Sequence, residues 1–145
     1  MSTKKLILIS TIVLLGAAAL TGYIMWNKPH KDVKDADGLQ IASVELYNRY
    51  ISDSAKARSL YTDKILQVTG EVGKVSANQQ NQQIILIETS VSGAYINCTM
   101  EENDAAAKEG STITIKGICS GYIGGDADMG LPGDVFLVRG YPFTK

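Results

Sequence analysis

The side chains that could do chemistry are few. Two cysteines, Cys98 and Cys119, have 20 residues between them, and each falls in a segment where apolar and polar residues alternate. In an oxidising compartment such a pair could close a disulfide, which would add roughly 3 kcal/mol in the chain-entropy picture. Two free buried thiols are the alternative, and a redox or metal-binding pair is a third, disfavoured by the lack of C-x-x-C spacing. The single histidine, His30, lies in a polar stretch and reads as a solvated linker residue. Asp126, Asp128 and Asp134 sit in the loop GGDADMGLPGD. Calcium takes such oxygens, but no ligand ladder with a closing Glu follows, so they read as solvated loop acids. There is no G-x-S-x-G, P-loop, H-E-x-x-H or dinucleotide fingerprint. The expectation is a protein that is not an enzyme, with no cofactor and no metal.

Those residues must be positioned by a chain of 145 residues, enough for one domain and an appendage. The appendage is Leu6 to Trp26, a run of 21 residues without charge. As a helix it would be about 31 Å long, close to the hydrocarbon thickness of a bilayer. Lys4 and Lys5 precede it, and Tyr23 and Trp26 lie at its far end, where aromatic rings favour the interface. A cleaved signal peptide would use Ala17-Ala18-Ala19, yet the apolar run continues to Trp26, which favours a retained anchor. The lysines leave orientation open, since Lys28, Lys31 and Lys34 on the far side offset Lys4 and Lys5. The cysteines favour an exported domain. The division is therefore residues 1–26 as anchor, 27–39 as polar linker and 40–145 as the folded domain.

In that domain, Leu46, Tyr50, Ala57 and Tyr61 share a helical stripe, with Ser43 a candidate cap. The tyrosines read as packing against the rest of the domain. From Lys64 the period becomes two, with Leu66, Val68, Gly70 and Val72 on one side. Gly70 predicts a bend that lets one long strand serve both halves of a small barrel. Strands follow at 83–89 and 94–100, then EENDAAAKE at 101–109 with the composition of a short helix ended by Gly110. Further strands are expected at 112–119 and 135–139, separated by a long loop. The predicted fold is mainly β with added α: a five-stranded Greek-key barrel of the OB type, one helix before its first strand and a short helix between its third and fourth. The alternative is an open sheet with helices on one face.

Several segments resemble a known family. They are the helix ending in Ala57 and Tyr61, the run Lys64-Ile-Leu-Gln-Val-Thr-Gly-Glu-Val72, the strand with Ile96-Asn97-Cys98, the acidic alanine-rich stretch, and Gly110-Ser-Thr-Ile-Thr-Ile-Lys-Gly-Ile-Cys-Ser-Gly121. Together they are similar to the bacterial tRNA-anticodon-binding-like OB domains of small exported, membrane-anchored or lipoprotein chains. The resemblance implies an OB fold and an extracytoplasmic location, and it carries no catalytic residues. In an OB-fold the loop joining the last two strands borders the ligand groove. Tyr122, Ile123 and Met129 in that loop, with Tyr95, are therefore candidate ligand contacts, the alternative being that they cover the barrel end.

From Leu39 onward the chain has nine basic and twelve acidic residues. A nucleic-acid surface needs clustered cations and stacking rings, and Lys74, Lys116 and Arg139 are scattered. The reading is a non-catalytic, membrane-anchored, extracytoplasmic binding or assembly module for a protein, peptide or glycan. The alternative is a single-stranded nucleic-acid-binding OB domain.

Overall fold

A computed structural model describes residues 1–27 and 32–144, in two units that meet near Asp32. His30 and three of the linker residues beside it lie outside the described residues.

The first unit is the helix α1, Thr3–Trp26, exposed along its whole length, with a mean hydropathy of 2.1 in its most apolar stretch. It is long and apolar enough to cross a membrane, and the same properties suit a signal sequence. Two of its hydroxyls are satisfied internally: those of Thr11 and Thr21 donate to the Ile7 and Ala17 carbonyls at 2.7 and 2.6 Å. Such i−4 bonds remove the cost of a bare hydroxyl in hydrocarbon.

The second unit is a closed barrel. Its strands are β1 Leu39–Ala42, β2 Ile65–Ala77, β3 Gln83–Glu88, β4 Tyr95–Met100, β5 Thr112–Ile123 and β6 Asp134–Pro142. The wall runs β2-β3-β4-β6-β5 and returns to β2, with β4 and β6 parallel and the other wall pairs antiparallel. This is the OB topology. The long strand β2 closes it: residues 65–71 pair with β5 and residues 72–77 with β3, with a bulge between Val72 and Lys74. Near the bend, a Cβ on Gly70 would collide with the Ser43 hydroxyl and the Ile87 side chain, so the turn of the wall depends on that missing carbon. The inward residues follow the period of two. Leu66, Val68, Val72, Ile85, Ile87, Ile96, Met100, Ile115 and Leu137 are all buried in one core.

Three elements differ from expectation. The stretch expected as one helix is a short strand, β1, paired in parallel with β2, and two helices, α2 Ser43–Ser52 and α3 Ser54–Tyr61. Ser43 does not cap. Its hydroxyl donates to the Glu88 carbonyl at 2.7 Å and pins α2 to the wall. The cap that matters is Asp53, whose carboxylate accepts from the Lys56 N–H at 3.1 Å and starts α3. The short helix expected between the third and fourth barrel strands is not formed, and residues 101–111 run as turns. Gln83 explains this, because its amide grips Asp104 from both sides, accepting from the Asp104 N–H at 2.7 Å and donating to the Asp104 carbonyl at 3.1 Å. The Asp104 carboxylate in turn accepts from the Ala106 N–H, a local bond that competes with a helix.

Residues 33–36, expected as linker, lie against the barrel. Val33 is buried, the Lys34 ammonium meets Glu102 at 2.7 Å, and the buried Lys116 ammonium donates to the Lys34 and Ala36 carbonyls at 3.1 and 2.8 Å.

Candidate functional site

The cysteines come first, because their expected bond is absent. Cys98 and Cys119 are both free and both buried. Sequence alternation placed them correctly on inward positions but on strands assumed to be neighbours. Strand β6 separates them: Leu137 is the register partner of Cys98 on one side and of Cys119 on the other. Two inter-strand spacings come to roughly 9–10 Å, beyond the ~7 Å Cα separation a disulfide can bridge. Burial pushes both thiols above the ordinary range, Cys98 the more strongly, which disfavours the nucleophilic thiolate. The Cys119 sulfur lies 3.3 Å from the Tyr50 hydroxyl, which also meets the Thr62 hydroxyl at 3.0 Å. Both cysteines belong to the core.

Above this core α2 and α3 set a group of tyrosines. Tyr47 and Tyr50, one turn apart on α2, both point inward and are almost fully buried. Tyr122 packs edge-on against Tyr47 at 6.0 Å between ring centres and is stacked on Tyr50 at 6.1 Å. Tyr122, one of the candidate ligand contacts, is thus a half-buried packing ring. Tyr95 points outward from β4, where its ring lies over Gly73; a Cβ there would stand 2.9 Å from the ring edge.

Of the other two candidates, Ile123 ends β5 and Met129 lies in the β5–β6 loop. They are 64 % and 69 % exposed, and Leu131, also in the loop, is 55 % exposed. These long apolar side chains are kept in water, although the loop is tightly organised. Gly125 and Gly133 let its two limbs touch, since a Cβ on either would strike backbone of the opposite limb. Asp126 and Leu131 form a bridge across it. The Asp126 carboxylate accepts from the N–H groups of Asp128 and Met129 at 2.9 and 3.2 Å, folding the tip. The Tyr47 hydroxyl donates to the Gly133 carbonyl at 3.0 Å, tying the base to α2. Asp134, at the start of β6, accepts from the Tyr95 N–H at 2.8 Å. The three aspartates therefore organise backbone separately and do not converge on one point.

The β3–β4 loop completes this end of the barrel. Ser90 donates to the Asn48 side chain on α2, and Gly93 approaches Pro132. Val91 on that loop is 37 % exposed, and Val44 and Ile51 on α2 are exposed as well. Exposed apolar side chains thus stand on both loops and on α2. The apolar content of the β5–β6 loop was the one sequence signal for them.

A family model described as tRNA_anti-like matches residues 1–129, nine-tenths of the chain and including α1. The chain belongs to the tRNA_anti-like family. No curated protein matches it. In OB-folds that take nucleic acid the ligand lies across the face of the second and third wall strands. In this tRNA_anti-like domain those are β3 and β4, whose outward residues are Ile84, Leu86, Glu88, Tyr95, Asn97 and Thr99. The face offers one tyrosine as a stacking platform and only Lys74 beside it on β2, paired in register with Leu86.

Proposed function

We propose that the chain is a non-catalytic, membrane-anchored binding module whose barrel end captures a protein partner on the extracytoplasmic side. The observation that carries this reading is the β5–β6 loop. Holding Ile123, Met129 and Leu131 in water costs roughly 1.5–3 kcal/mol for each side chain that could be buried elsewhere. Here the loop is organised so that they stay out. A rigid apolar projection loses little entropy on docking, which is how a small surface gains affinity. Asp126 and Asp128 beside it suit a partner segment with apolar anchors flanked by Lys or Arg. The free cysteines withdraw one argument for export; the likeness to exported chains supports it. For oligonucleotides, the outer β3–β4 face lacks the clustered cations that single-stranded binding uses.

The test is a photo-crosslinking amino acid placed at Met129 of the full chain in its own cells, with Gln79 on the β2–β3 loop as control. A discrete protein adduct at position 129, absent at 79 and lost when Asp126 and Asp128 become lysine, is expected. Equal labelling at both positions, or an adduct to nucleic acid, would end this reading.

A further inference from the structure

A second surface lies on the outer wall behind β1, where register brings together residues far apart in the chain. Gln40, Gln67 and Lys116 stand on one cross-strand row, and Ala42, Thr69 and Thr114 on the next. The inward neighbours Leu66, Val68 and Ile115 are in the core, so these two rows lie on the outer side of the wall, where Gln40 and Thr69 are exposed while Gln67 and Lys116 are largely covered by the chain around Ala36 and Gly38. The chain returns over them after β6: the Phe143 N–H donates to the Thr114 carbonyl at 2.9 Å. A cavity of about 200 Å³ is lined by Gln40, Gln67, Thr69, Thr114 and Phe143. A second of about 410 Å³ shares Thr114 and Phe143 with it and reaches Ile113 and Asp104. The two make one groove with the Phe143 ring between them.

The chemistry of the lining is narrow. Two primary amides each offer donors and an acceptor. The Thr69 and Thr114 hydroxyls are 2.8 Å apart; a bond between them uses one proton and leaves the other, with several lone pairs, for the groove. The nearby ammonium, Lys116, is occupied by two carbonyls and stands 5.1 Å from the Phe143 ring centre. Among the described residues, an anion entering the first cavity would meet amides and hydroxyls and no available cation. An apolar ligand would leave those polar groups unpaired, which is costly. A ligand with many hydroxyls, uncharged and carrying a flat C–H face to lie on a ring, satisfies every wall.

We propose that this groove binds a neutral oligosaccharide, with one sugar against Phe143 and its neighbours reaching into the two cavities. This site is separate from the protein-docking loop and does not depend on it.

The experiment is calorimetric titration of the full chain in lipid nanodiscs, free of glycoside detergents. The probes are the β-1,4-linked tetramers of glucose and of N-acetylglucosamine and the corresponding single sugars. At least one tetramer should bind saturably, more tightly than its monomer, and with little change on adding salt, because no ion pair is involved. Phe143→Leu keeps bulk at the chain end but removes the ring, and Gln40→Ala removes an exposed amide; each should weaken binding by about tenfold or somewhat less. Met129→Ala should bind as the parent does. The proposal is overturned if neither tetramer saturates, or if Phe143→Leu and Gln40→Ala both bind like the parent.

Discussion

Asp134 carries a charge that folding opposes. Its carboxyl is pushed above its ordinary value of 3.8 by burial, with the Tyr95 N–H partly pulling the other way. A raised carboxyl pKa means the folded chain binds the proton more tightly than the unfolded chain. Stability is therefore highest below the ordinary value and falls as pH rises through the folded one. Asparagine keeps the acceptor for Tyr95 without the charge. Asp134→Asn should melt higher than the parent at pH 7, with the difference closing as pH falls to about 3.8 and below. A parent that is the more stable at pH 7 would show that the ionised carboxylate has a stabilising role the fold does not explain. The same scale separates what was legible from what was not. That Cys98 and Cys119 point inward follows from alternation alone. That they cannot join depends on which strand lies between them, and β6 is brought there by a parallel pairing that leaves no local signature.

At the scale of elements, the wall strands were readable because each must hide one face, and period two is the direct record of that. The strand β1 was not, since Leu-Gln-Ile-Ala is four residues long and merges into the helical stripe that follows. Residues 101–109 have a helix-forming composition, but Gln83, nearly twenty residues upstream, takes both backbone groups of Asp104 and redirects them. Propensity of a few tenths of a kcal/mol per residue yields to such bonds. The bend expected at Gly70 comes slightly later, where β2 bulges between Val72 and Lys74, but Gly70 itself is closely packed and the cost of filling it can be measured. Gly70→Ala sets a methyl against Ser43 and Ile87, so it should destabilise by about 1–3 kcal/mol, seen as a lower denaturant midpoint with an unchanged slope. Of the candidate site, the apolar loop was visible as composition. Its exposure was not, because Ile123 and Met129 could equally have folded over the core as Tyr122 does. The polar groove was invisible, as Gln40, Thr69, Thr114 and Phe143 meet only through register.

For the whole molecule, the proposed export predicts which side of the membrane the barrel faces. The native thiols are buried, so a single reporter can be added without interference. Gln79→Cys lies on the exposed tip of the β2–β3 loop. It should react with an impermeant maleimide on intact cells, while the parent chain stays unlabelled. Labelling only after lysis would put the barrel inside. The order of the strands has a further effect, on time. The wall closes through β6, the last strand in the chain, which wedges between β4 and β5. Until Asp134–Pro142 is made, both neighbours have bare edges, and bare edges recruit other chains. Translation at about 5–20 residues per second makes that interval roughly one to four seconds long after β5 is complete. The barrel is thus most vulnerable to aggregation between completion of β5 and arrival of β6, and any factor that shelters β4 and β5 in that interval would set its yield.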